Sequence, residues 1–351
     1  MVRAVDRSPA GGSSLTVPAD SGFRMPAEWE PHAATWFSWP RREGISFPGL
    51  FDEVLPAFAA MVRALTPGER VCINVCDAAH EKEARTVLQA NGALNERVEI
   101  YHHPTDEPWC RDHGPLFLKN QSNHVVVDWE YNAWGGKYPP FENDNAIPAR
   151  IASLRGLPAF KPNMVLEGGS IEVNGAGALL TTESCLLNPN RNPNLSREEI
   201  EQRLRDFLGV KDIHWLGEGI VGDDTDGHVD DLTRFVSADK VVTAVEPNPA
   251  DPNHAALTEN RRRLEVLPFE VIELPMPPPL HHEGERLPAS YANFYIGNEA
   301  ILLPRFKAPT DDVATNILAD CFPGRTVAPI DCTALLWGLG ACHCITQQEP
   351  L

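Results

Sequence analysis

Prolines and glycines limit what this chain can fold into more than any other feature. There are 32 prolines and 25 glycines in 351 residues. Proline removes a helical hydrogen bond and clashes with the preceding turn, and glycine weakens any helix interior. A chain punctuated this often builds short elements joined by turns, which excludes a helical bundle. Helical periodicity is accordingly confined to short stretches, at about 50–65, His80–Gln89 ahead of Asn91-Gly92, 253–266 and 310–321. The clearest helix starts at Ser196. Ser196-x-x-Glu199 is a capping box, and Ile200, Leu204, Phe207 and Leu208 follow at helical spacing up to Gly209.

Strand-like runs lie between these stretches, at Val71–Val75, Val98–Tyr101, His124–Trp129, Val241–Val245, Phe269–Leu274 and Ala300–Leu303. Ile171–Val173 and Ala178–Thr181 flank Asn174-Gly175, a hairpin signal. Strands alternate with helices, yet several strand pairs read as hairpins, so the expected class is a mixed α/β fold and not a doubly wound parallel sheet. No internal repeat is visible. Residues 1–22 lack an apolar signal core and read as a flexible tail, and no linker interrupts 23–351, which reads as one domain. No apolar run approaches the roughly 18 residues of a membrane span.

The net charge of −19 argues against a nucleic-acid partner and suits a cationic ligand. The eight cysteines are Cys72, Cys76, Cys110, Cys185, Cys321, Cys332, Cys342 and Cys344. None forms a C-x-x-C pair, and the absence of a readable secretory signal makes reduced thiols in a cytoplasmic protein the expectation. The sequence leaves the oligomeric state open, a homo-oligomer included.

Four polar clusters sit beside turns, where reactive groups are displayed. The first is Trp109-Cys110-Arg111-Asp112-His113-Gly114-Pro115, where Arg-Asp also reads as a salt bridge fixing the turn. In the second, Glu167-Gly168-Gly169-Ser170, a glutamate at a strand end can face a cleft or belong to a plain turn. The third, Gly222–Asp231, gathers acid around His228. In an extended segment His228 and Asp230 would share a face, as a general base beside a carboxylate or as two metal ligands. An EF-hand does not fit, because the ligand spacing and closing glutamate are missing. The fourth is Gly338–Gln348, whose Cys344 is a nucleophile candidate. Cys342, His343 and Cys344 could bind a soft metal, but three adjacent residues chelate poorly alone. Together, one thiol, one histidine and isolated carboxylates suit attack on a cationic carbon such as that of a guanidinium, whose N–H edges carboxylates bind in bidentate fashion. This chemistry requires no metal and no cofactor.

These clusters, with Gly22–His32, Asn132–Gly136, Leu187–Pro193 and His343–Gln348, resemble the agmatine deiminase and bacterial-type peptidylarginine deiminase family of guanidine-modifying enzymes over nearly the whole chain after the tail. The resemblance implies a five-bladed α/β propeller with pseudo-fivefold symmetry and a central active site. It implies Cys344 as nucleophile, His228 as general acid/base, Asp112 and Asp230 as guanidinium-binding carboxylates, and Glu167 as the group that orients the histidine and helps to hold the substrate. Trp109 and Asp226 are further substrate-binding candidates. The implied reaction is hydrolysis of agmatine to N-carbamoylputrescine and ammonia, with peptidyl or free arginine as rival substrates. A metal-dependent hydrolase using His228 and Asp230, and an inert binding module, are the readings from other classes. Gly338-Leu339-Gly340-Ala341-Cys342 and Asp106-Glu107-Pro108 depart from the pattern of agmatine-specific members.

Overall fold

The computed structural model describes residues 17–351. Most of the expected tail, residues 1–16, lies outside them. Val17–Gly22, expected to belong to that tail, instead cap the fold. Pro18–Ser21 form a 3-10 turn that ends on Gly22, and the Phe23 amide donates to the Pro18 carbonyl. Pro18 is buried, which ties this segment down.

One pattern recurs through the chain: an antiparallel strand pair, a helical crossover, and a third strand parallel to the second. Leu116–Lys119 and His124–Val127 are followed by helix Ile147–Arg155 and strand Ala159–Phe160. Ile171–Val173 and Ala178–Thr182 are followed by helix Arg197–Leu208 and strand Asp212–Leu216. Thr233–Ser237 and Lys240–Val245 lead through His254–Glu265 to Glu270–Pro275. Tyr295–Ile296 and Ala300–Arg305 lead through Asp311–Cys321 to Thr326–Asp331. The fifth unit is assembled from both ends of the chain. Gln347–Pro350 pairs antiparallel with His32–Ser38, which pairs parallel with Arg70–Val75 after helix Phe51–Leu65. Val98–His102 extends that sheet in parallel after helix Ala78–Ala90. The mixed α/β class is therefore correct, and a structural repeat exists that the sequence does not reveal.

Local chemistry accounts for the elements. The Ser196 side chain accepts from the Glu199 amide while Glu199 reaches back to the Ser196 amide, completing the expected capping box. Ile200, Leu204 and Leu208 line the buried face of that helix. It ends at Gly209 with φ +68°, where a Cβ would stand 2.4 Å from the Phe23 carbonyl oxygen. The Asn174 side chain accepts from the Ala176 and Ala178 amides, which closes the expected hairpin. The largest apolar core buries Val54, Phe58, Met61, Val62 and Leu65 of helix Phe51–Leu65. Among the described residues no helix is long and apolar enough to cross a membrane.

Candidate active site

Each of the five units begins with a turn, and a polar side chain stands in or beside that turn. Asp112 precedes Leu116–Lys119, Glu167 precedes Ile171–Val173, His228 and Asp230 precede Thr233–Ser237, Asn293 precedes Tyr295–Ile296, and Cys344 precedes Gln347–Pro350. All six side chains are buried. The structure brings together the five residues expected to carry the chemistry.

Gly169 is the point at which three of them meet. A Cβ there would lie 2.6 Å from His228 Nδ1, 2.8 Å from Asp112 Oδ1 and 3.0 Å from Asp230 Oδ2. The Gly169 amide donates to Asp112 Oδ1 at 3.0 Å, and the Trp134 indole donates to Asp112 Oδ2 at 3.0 Å. Trp134 is presented by a strained turn, with Ala133 and Trp134 both in the left-handed region at φ +53° and +54°. His228 and Asp230 are not on one extended segment. His228 precedes a 3-10 turn, Val229–Asp231, and Asp230 lies within that turn.

Cys344 also sits in a turn, ahead of the last strand and not within it. The Asn293 amide nitrogen donates to its Sγ at 3.1 Å, and Asp230 Oδ2 lies 4.0 Å from the sulfur. Asn293 Oδ1 accepts from the His343 and Cys344 amides, which fixes the turn. The Trp109 ring packs on Gly340, where a Cβ would fall 2.4 Å from the ring, and its indole donates to Ser46 Oγ. This close approach explains the glycines ahead of the thiol. Trp109, Asp112 and Cys344 line a cavity of about 300 Å³. Its charged lining residues are Glu107, Asp112, Asp224 and Glu283, with no Lys or Arg among the described ones.

Two expectations need correction. Asp226 is not free to bind substrate. Its Oδ2 accepts from Arg191 and Asn190 and its Oδ1 from Lys137. Arg111 does not pair with its neighbour Asp112. It reaches Glu28 at 3.1 Å and Gln348 at 2.8 Å, away from the cavity. Sequence reasoning also missed four members of the site. Arg191 donates to Glu167 Oε1 at 2.5 Å, Asn293 holds the thiol, Trp134 holds Asp112, and His343 contacts Asp230. Arg191, Trp134 and His343 lie within the quoted motifs, whereas Asn293 gave no signal.

Glu167 Oε2, Asp230 Oδ1 and both His228 ring nitrogens have no hydrogen-bond partner among the described residues. Burial, and then the Glu167 charge, push the Asp112 carboxyl up to about 7 against the hydrogen bonds from Trp134 and Gly169. Burial, and then Asp112, holds Asp230 well above its ordinary value. Glu167 is raised by burial against the opposing pull of Arg191. Burial and the Arg191 charge keep His228 well below the usual imidazole value. Burial, reinforced by Asp230, Asp231 and Asp112, holds the Cys344 thiol well above its ordinary value.

Glu167, Cys185 and His228 present ligand atoms within 4.8 Å of one another, a set that a metal ion could use. Asp230 is not part of it.

Comparison with known proteins fits this arrangement. The family described as Porphyromonas-type peptidyl-arginine deiminase matches residues 24–350. A relative from Legionella pneumophila is 39% identical, covering 95% of this chain and 97% of its own. The solved structure of the agmatine deiminase of Enterococcus faecalis superposes with a TM-score of 0.89 at 31% identity, covering 97% of this chain and 99% of that one. The substrate-bound agmatine deiminase of C. jejuni gives a TM-score of 0.87 at 28% identity, over 93% and 96% of the two chains. The chain belongs to the Porphyromonas-type peptidyl-arginine deiminase family and is a hydrolase of carbon–nitrogen bonds.

Proposed function

We propose that this protein deiminates a small cationic guanidine, with agmatine as its preferred substrate, through a covalent intermediate on Cys344. One observation carries the reading: a buried thiol lies in a cavity whose charged lining residues are all acidic. The names of the similar solved structures support it.

In this reading Asp112 and Asp230 take the N–H edges of the guanidinium, aided by Glu167 Oε2. The bound cation offsets their repulsion and lowers the thiol pKa, so the thiolate forms only with substrate present. Sulfur attacks the central carbon. His228 takes the thiol proton and gives it to the departing nitrogen, and ammonia leaves from a carbon now bonded to sulfur. His228 then takes a proton from water, the hydroxyl adds to that carbon, and the C–S bond breaks to return the thiolate and a ureido product as the remaining hydroxyl proton passes to the released ammonia. A thiol nucleophile suits a reducing, cytoplasmic compartment.

The five units support a five-bladed arrangement of one catalytic domain. Each contributes polar side chains from the turn before its first strand, and those turns converge on one site.

The free thiol should react slowly with iodoacetamide near neutral pH, and a guanidine analogue too short to cover the sulfur should accelerate the reaction. Rapid alkylation of the free enzyme at pH 6 would contradict this electrostatic account. Because a cation binds best to ionised Asp112, kcat/KM should rise with pH through about 7.

Substrate choice follows from the cavity. A distant ammonium gains from Glu283, and to a lesser degree from Asp224, which Lys137 and Tyr138 already engage, whereas an α-carboxylate is repelled. The penalty for one unpaired charge predicts free arginine poorer by on the order of a hundredfold in kcat/KM. Ammonia release from agmatine, arginine and a blocked arginyl peptide, assayed side by side, tests this. A higher kcat/KM for either competitor would overturn agmatine as the substrate. Retention of full turnover after dialysis against a chelator is the expected result, and its loss would favour a metal at Glu167, Cys185 and His228.

A further inference from the structure

His343, next to the thiol in sequence, has no part in the mechanism above, yet its buried ring bridges two carboxylates. Nδ1 lies 2.6 Å from Asp230 Oδ2 and Nε2 lies 2.8 Å from Glu28 Oε2. Its backbone amide is held by Asn293 Oδ1 at 3.0 Å, so the ring has little freedom to leave. An N···O contact of this length holds one proton, so the two contacts together hold two. Arg234 and Arg111 hold Glu28 ionised against the cost of burial, and with Glu28 a carboxylate two arrangements satisfy the contacts. In one, Asp230 is a carboxylic acid donating to a neutral ring whose Nε2–H donates to Glu28. In the other, an imidazolium donates to two carboxylates. The two differ only in which end of the 2.6 Å contact owns one proton.

The surrounding charges decide between them. Glu28 already accepts from Arg234 at 2.8 Å and from Arg111 at 3.1 Å, and these two cations disfavour a third charge on the ring. On the other face of Arg234, Glu172 takes up its Nε. Burial, and then the Asp112 and Asp223 charges, disfavour the Asp230 anion and outweigh the opposing pull of Arg234 and Arg111, so Asp230 stays well above its ordinary value. The first arrangement therefore belongs to the empty site. A guanidinium placed against the unpartnered Asp230 Oδ1 reverses the second influence and leaves the first unchanged.

Resting on the guanidine reading, we infer that His343 is a positioning residue that ionises Asp230 when substrate binds, by taking its proton from Oδ2 onto Nδ1. No proton is exchanged with solvent in the step, and no bond other than O–H and N–H changes. Asp230 thus meets the cation as a carboxylate, although the empty site keeps it neutral. Glu28, held by two arginines, is the fixed anion that stabilises the imidazolium.

The test counts protons. In a Cys344→Ala background, which removes the thiol proton from the inventory, agmatine binding is measured by calorimetry in buffers of different ionisation enthalpy. His343→Gln keeps a hydrogen bond to Asp230 but cannot accept a proton. It should release about one more proton to solvent per agmatine bound than its parent. With Cys344 intact, His343→Gln should lower kcat/KM about tenfold at pH 7, the effect of one pKa unit, and the loss should shrink as pH rises. Equal proton release with and without His343 would overturn the relay, whereas no binding of agmatine to either protein would overturn the guanidine reading instead. If His343→Gln does not fold, nitrogen NMR of the Cys344→Ala protein at about pH 8.5, well above the ordinary imidazole value of about 6.5, decides the matter. One histidine should become doubly protonated on agmatine binding, with both ring N–H protons strongly deshielded, and the absence of any such change would overturn the relay.

Discussion

Cys344→Ala is expected to reduce ammonia release from agmatine by on the order of 10⁴-fold or more, because the reading assigns all covalent chemistry to this one sulfur. The fold should survive. Cys344 is buried beside Gly340 and accepts one hydrogen bond, from Asn293, whose amide also donates to Asp231, so a methyl group leaves only a small void and one N–H unpaired. Agmatine binding should persist, since Asp112, Asp230 and Glu167 are untouched. Losing the thiol also removes a group that competes with those carboxylates for protons. Activity within a hundredfold of the parent would transfer the nucleophile to another group.

Gly169→Ala should be nearly as damaging, although it removes no functional group. The backbone there is not in the left-handed region, so alanine is tolerated conformationally. Its methyl would nevertheless stand within 3.0 Å of atoms from His228, Asp112 and Asp230. Each must shift, and Asp112 must do so while hydrogen-bonded to the Gly169 amide. Overpacking of this kind costs about 1–3 kcal/mol of stability, whereas displacement of reacting groups by about 1 Å costs on the order of 10²-fold in rate. The expected signature is a folded protein with a modestly lowered Tm and kcat/KM down by that factor or more. A Gly169→Ala enzyme with parental kcat/KM would mean that the three side chains do not work at the positions described here.

Most of the crossover helices were legible in the sequence because each buries one face, although Ile147–Arg155 was not read. Ile200, Leu204 and Leu208 recur at helical spacing behind a capping box, and the helix forms where that pattern ends at Gly209. Several strands of the antiparallel pairs were not legible. His32–Ser38, Leu116–Lys119 and Thr233–Ser237 are buried along almost their whole length, so no apolar–polar alternation marks them. The strand Gln347–Pro350 reads Gln-Gln-Glu-Pro, a composition that suggests a loop, and it is a strand because His32–Ser38 pairs with it. The same pairing hides the repeat, since one unit is split between the two ends of the chain.

The site was legible to a different degree. Cys344, His228, Asp112, Asp230 and Glu167 were nominated through motif resemblance, and the structure gathers them. Local sequence alone left each open to a plain structural reading. Asp226 was misjudged because a carboxylate two residues from a histidine looks available, whereas Arg191, some 35 residues away, occupies it. Asn293 could not have been found, since Ser290–Asn293 carries no motif and its role depends on a hydrogen bond to a residue 51 positions later.

The central claim is a covalent step on one sulfur, and acid-quenched turnover analysed by mass spectrometry tests it most directly. The account predicts that, within the first turnovers, the peptide containing Cys344 gains the mass of agmatine less ammonia, that the gain disappears when substrate is exhausted, and that no other peptide changes. The same mass on a different residue, or rapid turnover with the Cys344 peptide unmodified at every quench time, would contradict it.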